Sequence, residues 1–119
     1  MKRSYQCSKG LSKDEVFATQ NELNLGYLNL QDEMFEQAKQ NFQLALSFDR
    51  NCADAYWGLM LEKFKIKDED DLFSYPTRYR KVVETKEFKK AFEFANDQQK
   101  EIYKNLLDRI AKIEEGENY

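Results

Sequence analysis

"AKQNFQLALSFDRNCADAYWGL", residues 38–59, sets small and aromatic side chains at a fixed beat, breaks at a polar corner and begins again. Before the break Ala38, Phe42 and Ala45 share a step of three or four residues; after it Ala53, Tyr56 and Leu59 do the same. Such steps place residues on one face of a helix. The stretch therefore reads as one helix, a turn at Asp49-Arg50-Asn51, and the start of the next helix. Small residues have a purpose on such a face: alanines let two helix axes approach while Phe42 fills the space between them.

Working outward, "SKDE" at residues 12–15 has the Ser-x-x-Glu form in which the serine hydroxyl and the glutamate carboxylate cap each other's backbone N–H. It predicts a first helix from Ser12 to about Gln31, with Val16, Leu23, Tyr27 and Leu30 on its inner face. Leu25 and Leu28 widen that stripe, as expected for a helix covered on more than one side. A second helix follows in "DEMFEQAKQNFQLALSF", residues 32–48, with Asp32 as its expected N-cap. So short a connection folds two amphipathic helices back into an antiparallel pair. The third helix is expected in "ADAYWGLMLEKFKI", residues 53–66, with Ala55, Tyr56, Leu59, Met60 and Phe64 inward.

From Lys67 to Thr85 the pattern fails. Asp68, Glu69, Asp70 and Asp71 run together, and "LFSYPTRYRKVV" contains the one proline, so this segment reads as a long loop with room for a short helical turn at 78–83. Periodicity returns in "KEFKKAFEFA", residues 86–95, where Phe88, Ala91, Phe92 and Ala95 share a face. Asn96, with Gln99 at the box position, then starts a last helix over about Asp97 to Glu115. Its narrow stripe of Ile102, Leu106, Ile110 and Ile113 is that of a helix closing the end of a stack. Residues 12–115 make one domain, and 1–11 and 116–119 are expected to be flexible ends.

Composition agrees with helices. The 119 residues carry four glycines and one proline, too few for the turn every 8 to 12 residues or so of a sheet protein. No run approaches the roughly 18 apolar residues of a membrane span, and "MKRSYQCSKG" lacks the apolar core of a secretory signal, so a cytoplasmic protein is expected, without a membrane partner. A net charge of −3 argues against the broad positive field behind non-specific nucleic-acid binding. Cys7 and Cys52 stand far apart with no second cysteine near either, which gives no zinc or redox spacing.

The 38–59 stretch resembles the tetratricopeptide repeat, a helix-turn-helix unit of about 34 residues. Leu25 and Gly26 match its first-helix pair, Phe35 the aromatic that opens its second helix, and Ala38, Phe42 and Ala45 its second-helix set. A step of about 34 from Leu25 reaches Leu59, with Tyr56 at the usual tryptophan place. The sequence departs from the pattern at Glu22, Asn29, Arg50 and Met60, the last standing where a second glycine is usual. The second unit is interrupted, its later helix arriving about 20 residues late, so the likeness covers roughly residues 19–95. "NCADAYWGLMLEKFKI" is also similar to a group of uncharacterised bacterial proteins in which such a repeat meets an inserted loop and two closing helices. The resemblance implies an all-α fold of about five helices in antiparallel hairpins with a C-terminal capping helix; it implies fold more than activity.

Chemistry is sparse. With no histidine in the chain, the commonest general base and metal ligand and every Ser-His or Cys-His arrangement are missing. The four glycines are isolated, so no phosphate loop exists, and no enzyme activity or cofactor is expected. The acidic run 68–71 lacks the ordered spacing and central glycine of a calcium loop and reads as solvated. Cys52 reads as a packed thiol or, at a helix N-terminus, as a reactive one.

Two surfaces remain. The resemblance implies a concave groove lined by first helices, with Leu23, Asn24, Tyr27 and Leu30 beside Trp57, Leu61, Phe64 and Lys65. Aromatics there supply contact area and amides fix register for a bound peptide or helix. For Trp57 and Phe64 a second reading stands equally, that the closing helices cover them as core. Leu23 and Asp54 occupy two places where a carboxylate-binding groove of this family has lysine, so that mode is not expected. The other surface is Tyr75, Arg78, Tyr79, Arg80 and Lys81, a mix able to meet nucleic-acid phosphate, or a loop whose arginines pair with the acidic run. The expected function is a protein-interaction adaptor. Barely two units leave unstacked ends, which opens the way to self-association.

Overall fold

The computed structural model describes residues 8–67, 71, 82 and 84–117, with position 106 and positions from 109 onward described by backbone alone. Its described residues form five helices and no strand: α1 (Lys13–Gln31), α2 (Phe35–Phe48), α3 (Ala53–Lys63), α4 (Lys86–Phe94) and α5 (Asp97–Glu117). The chain is all-α. Most of the expected loop 67–85, with its helical turn, lies outside the described residues.

Helix α1 starts where its sequence said it would. Ser12 Oγ accepts from Glu15 N at 3.1 Å and Glu15 Oε1 accepts from Ser12 N at 3.0 Å, closing the capping box. Hydrogen bonding from Ser12, its backbone N–H foremost and its side chain next, holds the Glu15 carboxyl below its ordinary range. At the other end the expectation for Asp32 fails: it is the C-cap of α1, and α2 starts at Phe35 behind Met34, which makes no side-chain cap bond. The cause is a Schellman turn. Glu33 takes φ 61°, its N–H reaches Leu30 O at 3.0 Å, and Met34 N–H reaches Asn29 O at 2.8 Å.

The same turn ends α3 earlier than its apolar stripe suggested. Lys65 takes φ 56°, Lys65 N–H donates to Glu62 O and Ile66 N–H to Leu61 O, both at 2.9 Å. Ile66 thus leaves the helix and is buried in the core. The starts of α4 and α5 follow side-chain chemistry. Thr85 Oγ1 caps α4 by accepting from Phe88 N at 3.1 Å. Asn96 Oδ1 accepts from Gln99 N at 2.8 Å while Gln99 Oε1 accepts from Asn96 N at 3.3 Å, the expected box at α5.

α1 packs along α2, α2 on α3, and α3 on α4. Joined by so short a turn, α1 and α2 run antiparallel. Their shared core is Leu23, Leu30, Ala38, Phe42 and Ala45. Phe42 sits between two glycines: a Cβ built on Gly26 would lie 2.6 Å from its ring, and one on Gly58 2.3 Å. Three helices therefore meet at one phenyl ring because two of them have no side chain in the way. The glycine that does this on α3 is Gly58; the 34-residue beat had put the place at Met60, a fully buried core residue instead.

Polar residues complete the α1–α2 seam. Asn29 Nδ2 donates to Asn41 Oδ1 at 2.7 Å, and Asn41 Nδ2 donates to Glu22 Oε2 at 2.9 Å. Glu22 and Asn29, two departures from the repeat pattern, are thus held by one asparagine on α2. At the next corner Asp49, almost wholly buried, accepts from Asn51 N and from both the backbone N–H and the hydroxyl of Ser8, the latter at 2.6 Å.

Candidate functional site

The eight residues expected to line a groove divide into two sets. Leu23, Leu30, Trp57 and Leu61 are at most 1% exposed and belong to the core. Asn24 and Lys65 are exposed, and Tyr27 and Phe64 are half-buried. Only this second set reaches solvent. Tyr27 packs edge-on to Phe42 at 4.9 Å and its hydroxyl donates to the Asp54 carbonyl at 2.5 Å, so one ring ties α1 to the start of α3. Lys65 pairs with Glu62 at 2.8 Å and its ammonium lies 5.3 Å from the Phe35 ring.

Trp57 resolves its two readings as core, and the cause is α5. The Tyr103 ring stacks on the indole at 4.5 Å and 16°, with Phe88 of α4 at 6.1 Å on another side. The closing helices thus cover the part of α3 that the resemblance offered to a partner. Phe64, at the C-cap of α3, is half-buried against the same core.

Asp54, which the sequence brought forward only as a place without the groove's lysine, is an anchor between helices. Its carboxylate is fully buried, with Oδ2 accepting from Gln99 Nε2 at 2.6 Å and Oδ1 from the Tyr103 hydroxyl at 3.4 Å. Burying a carboxylate is tolerable only when hydrogen bonds replace its water. Gln99 therefore serves two helices, capping α5 with its carbonyl and holding α3 with its amide. The visible signal was an acid inside the otherwise apolar run "ADAYWGLM"; which residues would meet it, some 45 positions on, was not visible.

Cys52 is the N-cap of α3 and is buried, which removes it from solvent despite its place at the helix dipole. Among the described residues no cluster of three or more His, Cys, Asp or Glu side chains is placed to hold a metal ion. Among them, too, no helix is long and apolar enough to cross a membrane. Tyr75, Arg78, Tyr79, Arg80 and Lys81 lie outside the described residues, as does the acidic run but for Asp71.

Set against family models, curated proteins and solved structures, the chain matches none of them.

Proposed function

We propose that this chain is a tetratricopeptide-like interaction module, an adaptor without catalytic activity that holds a peptide or helix of a partner protein along the rim of α1 and α3. The observation that carries the reading is Phe42 seated between Gly26 and Gly58. Close nesting of three consecutive helices around one ring is what a repeat hairpin needs in order to stack on the next. Asn24, Tyr27, Phe64 and Lys65 supply the rim: an amide, two aromatic faces and a cation, the mixture that fixes register and gives contact area to a bound segment. Leu23, Leu30, Trp57 and Leu61 set the shape beneath it.

The test follows from that division. Asn24→Lys combined with Phe64→Ala is expected to abolish capture of whichever protein the wild-type chain retains from its native host, identified by mass spectrometry, while the helical circular dichroism persists. Equal capture by the variant overturns the rim. Trp57 is left unchanged in this test, because it is core and its loss acts on folding.

A further inference from the structure

All six large apolar side chains that stand well out of the surface among the described residues lie on the α1–α2 hairpin. Phe17 is 76% exposed, Leu28 and Leu44 48%, Leu25 42%, and Phe48 38%, with Met34 in the turn between the helices. Leu25 and Leu28 were expected to be covered on a second side of α1; among the described residues both stay exposed, and α3 meets α1 at Gly26 and Tyr27 instead. Their arrangement is regular. Phe17, Asn21, Leu25 and Leu28 step by four, four and three along α1, and Gln37, Asn41, Leu44 and Phe48 by four, three and four along α2. Such steps make one continuous stripe per helix. The Asn29–Asn41–Glu22 seam joins the two, because Glu22 and Asn29 flank Leu25 at three and four residues and Asn41 precedes Leu44 by three.

The charge is missing as well. Charged residues are 34% of the chain, yet between Phe17 and Phe48 only Glu22, Asp32, Glu33, Glu36 and Lys39 carry charge, and Glu22 is used inside the seam. Depletion of charge around exposed aromatic and aliphatic side chains is the composition of an interface centre. A lone cation, Lys39, gives nothing to hold anionic lipid or nucleic acid, and the three acids outside the seam, Asp32, Glu33 and Glu36, sit in the connection and the first turn of α2 rather than beside Leu25 and Leu44. Amides differ from charges in being complementary to themselves, since each donates and accepts. A face of leucine, phenylalanine, asparagine and glutamine therefore suits its own copy, where a charged face would repel it. Its size is that of a weak, reversible pairing: 19 residues of α1 run about 28 Å and two helix diameters of about 10 Å set the width, roughly 560 Å² in projection, short of the ~800 Å² of accessible surface that one partner gives to a standard interface.

We propose that the outer face of the α1–α2 hairpin, centred on Leu25 and Leu44 and flanked by Phe17, Leu28 and Phe48, is a homotypic interface that joins two copies of this chain about a two-fold axis.

Sedimentation equilibrium of the full chain over a wide concentration range decides it. The wild type is expected to dimerise reversibly, with a dissociation constant that does not weaken at about tenfold higher salt, because apolar burial is not screened. Leu25→Lys combined with Leu44→Lys is expected to weaken the dimer at least ~100-fold, as removal of central interface anchors does. Phe17→Lys, at a more exposed site, gives a second disruption should the double variant lose helical circular dichroism. A Leu25→Lys, Leu44→Lys chain mixed with a Leu25→Glu, Leu44→Glu chain is expected to restore pairing. A wild-type chain that stays monomeric at the highest concentration reached overturns the proposal. So does a dimer that survives folded Phe17→Lys and double-lysine variants, since it then uses another face. None of these substitutions changes Tyr27, Phe64 or Lys65, and partner capture is read on the same variants as a separate measurement.

Discussion

Two parts of the core solve the same packing problem in opposite ways. Around Phe42, α1, α2 and α3 come together by removing side chains: Gly26 and Gly58 leave bare backbone against one ring, and Ala38 and Ala45 keep α2 narrow. Around Trp57, α3, α4 and α5 come together by adding them: the indole lies on Tyr103 and near Phe88, and Phe88 in turn lies near Phe92. The first packing is intolerant because backbone cannot move aside. The second has polar handles, the buried Asp54 with Gln99 and Tyr103, which fix where α5 begins. One end of the molecule is held by shape and the other by shape together with hydrogen bonds.

The contrast can be broken most forcefully at its centre. Phe42→Ala is expected to cost about 3–5 kcal/mol, read from urea unfolding, because it empties a site shared by three helices and the glycines beside it cannot fill the void. Gly58→Ala is expected to cost about 1–3 kcal/mol, since the added methyl meets the ring rather than a flexible chain end. Combined with Phe42→Leu, part of that cost should return, and a double-mutant cycle with no coupling would falsify the wedge. At the other end, Tyr103→Leu shortens the side chain and loses the stack and the Asp54 bond, an expected loss of about 1–2 kcal/mol. Because Trp57 is the one tryptophan of the chain, its fluorescence should shift with that change and stay unaltered in Gly26→Ala.

Smaller effects sharpen the corners between the regions. Glu33→Gly is expected to stabilise by about 1 kcal/mol, because glycine takes the left-handed position at the end of α1 without the steric cost that glutamate bears. Lys65→Gly should gain less, since Lys65 also pairs with Glu62 and lies over Phe35. Equal gains at both corners would show that these contacts contribute nothing. The smallest effect is at Ser12 and Glu15. A carboxyl whose folded pKa is lowered contributes stability above its unfolded value near 4.5 that is lost as pH falls through the folded one. Ser12→Ala, which removes the capping hydroxyl, should shrink this acid-limb loss in thermal melts taken below that pH.

How far the chain could be read depends on how local each signal is. The caps at Ser12, Thr85 and Asn96 involve residues three apart, and the α1 and α5 boxes were readable from the letters. Asp32 misled because an acidic residue ahead of an apolar run looks like an N-cap, while the turn that displaced it needed Glu33 in a conformation that sequence assigns to glycine. Of the candidate groove, Asn24 and Lys65 keep their access to solvent, whereas the fate of Trp57 turned on Tyr103, which the stripe of Ile102 and Leu106 had passed over.

By itself the sequence determined that the chain is helical, where most helices start, and that Phe42 fills the space between them, because each of these follows from spacing within a turn or two of backbone. Only the tertiary structure decided which second glycine faces that ring, that a buried aspartate anchors α5, and that the outer leucines of α1 stay exposed among the described residues. Those depend on the approach of residues tens of positions apart, and periodicity along one helix carries no information about which neighbour arrives on which side.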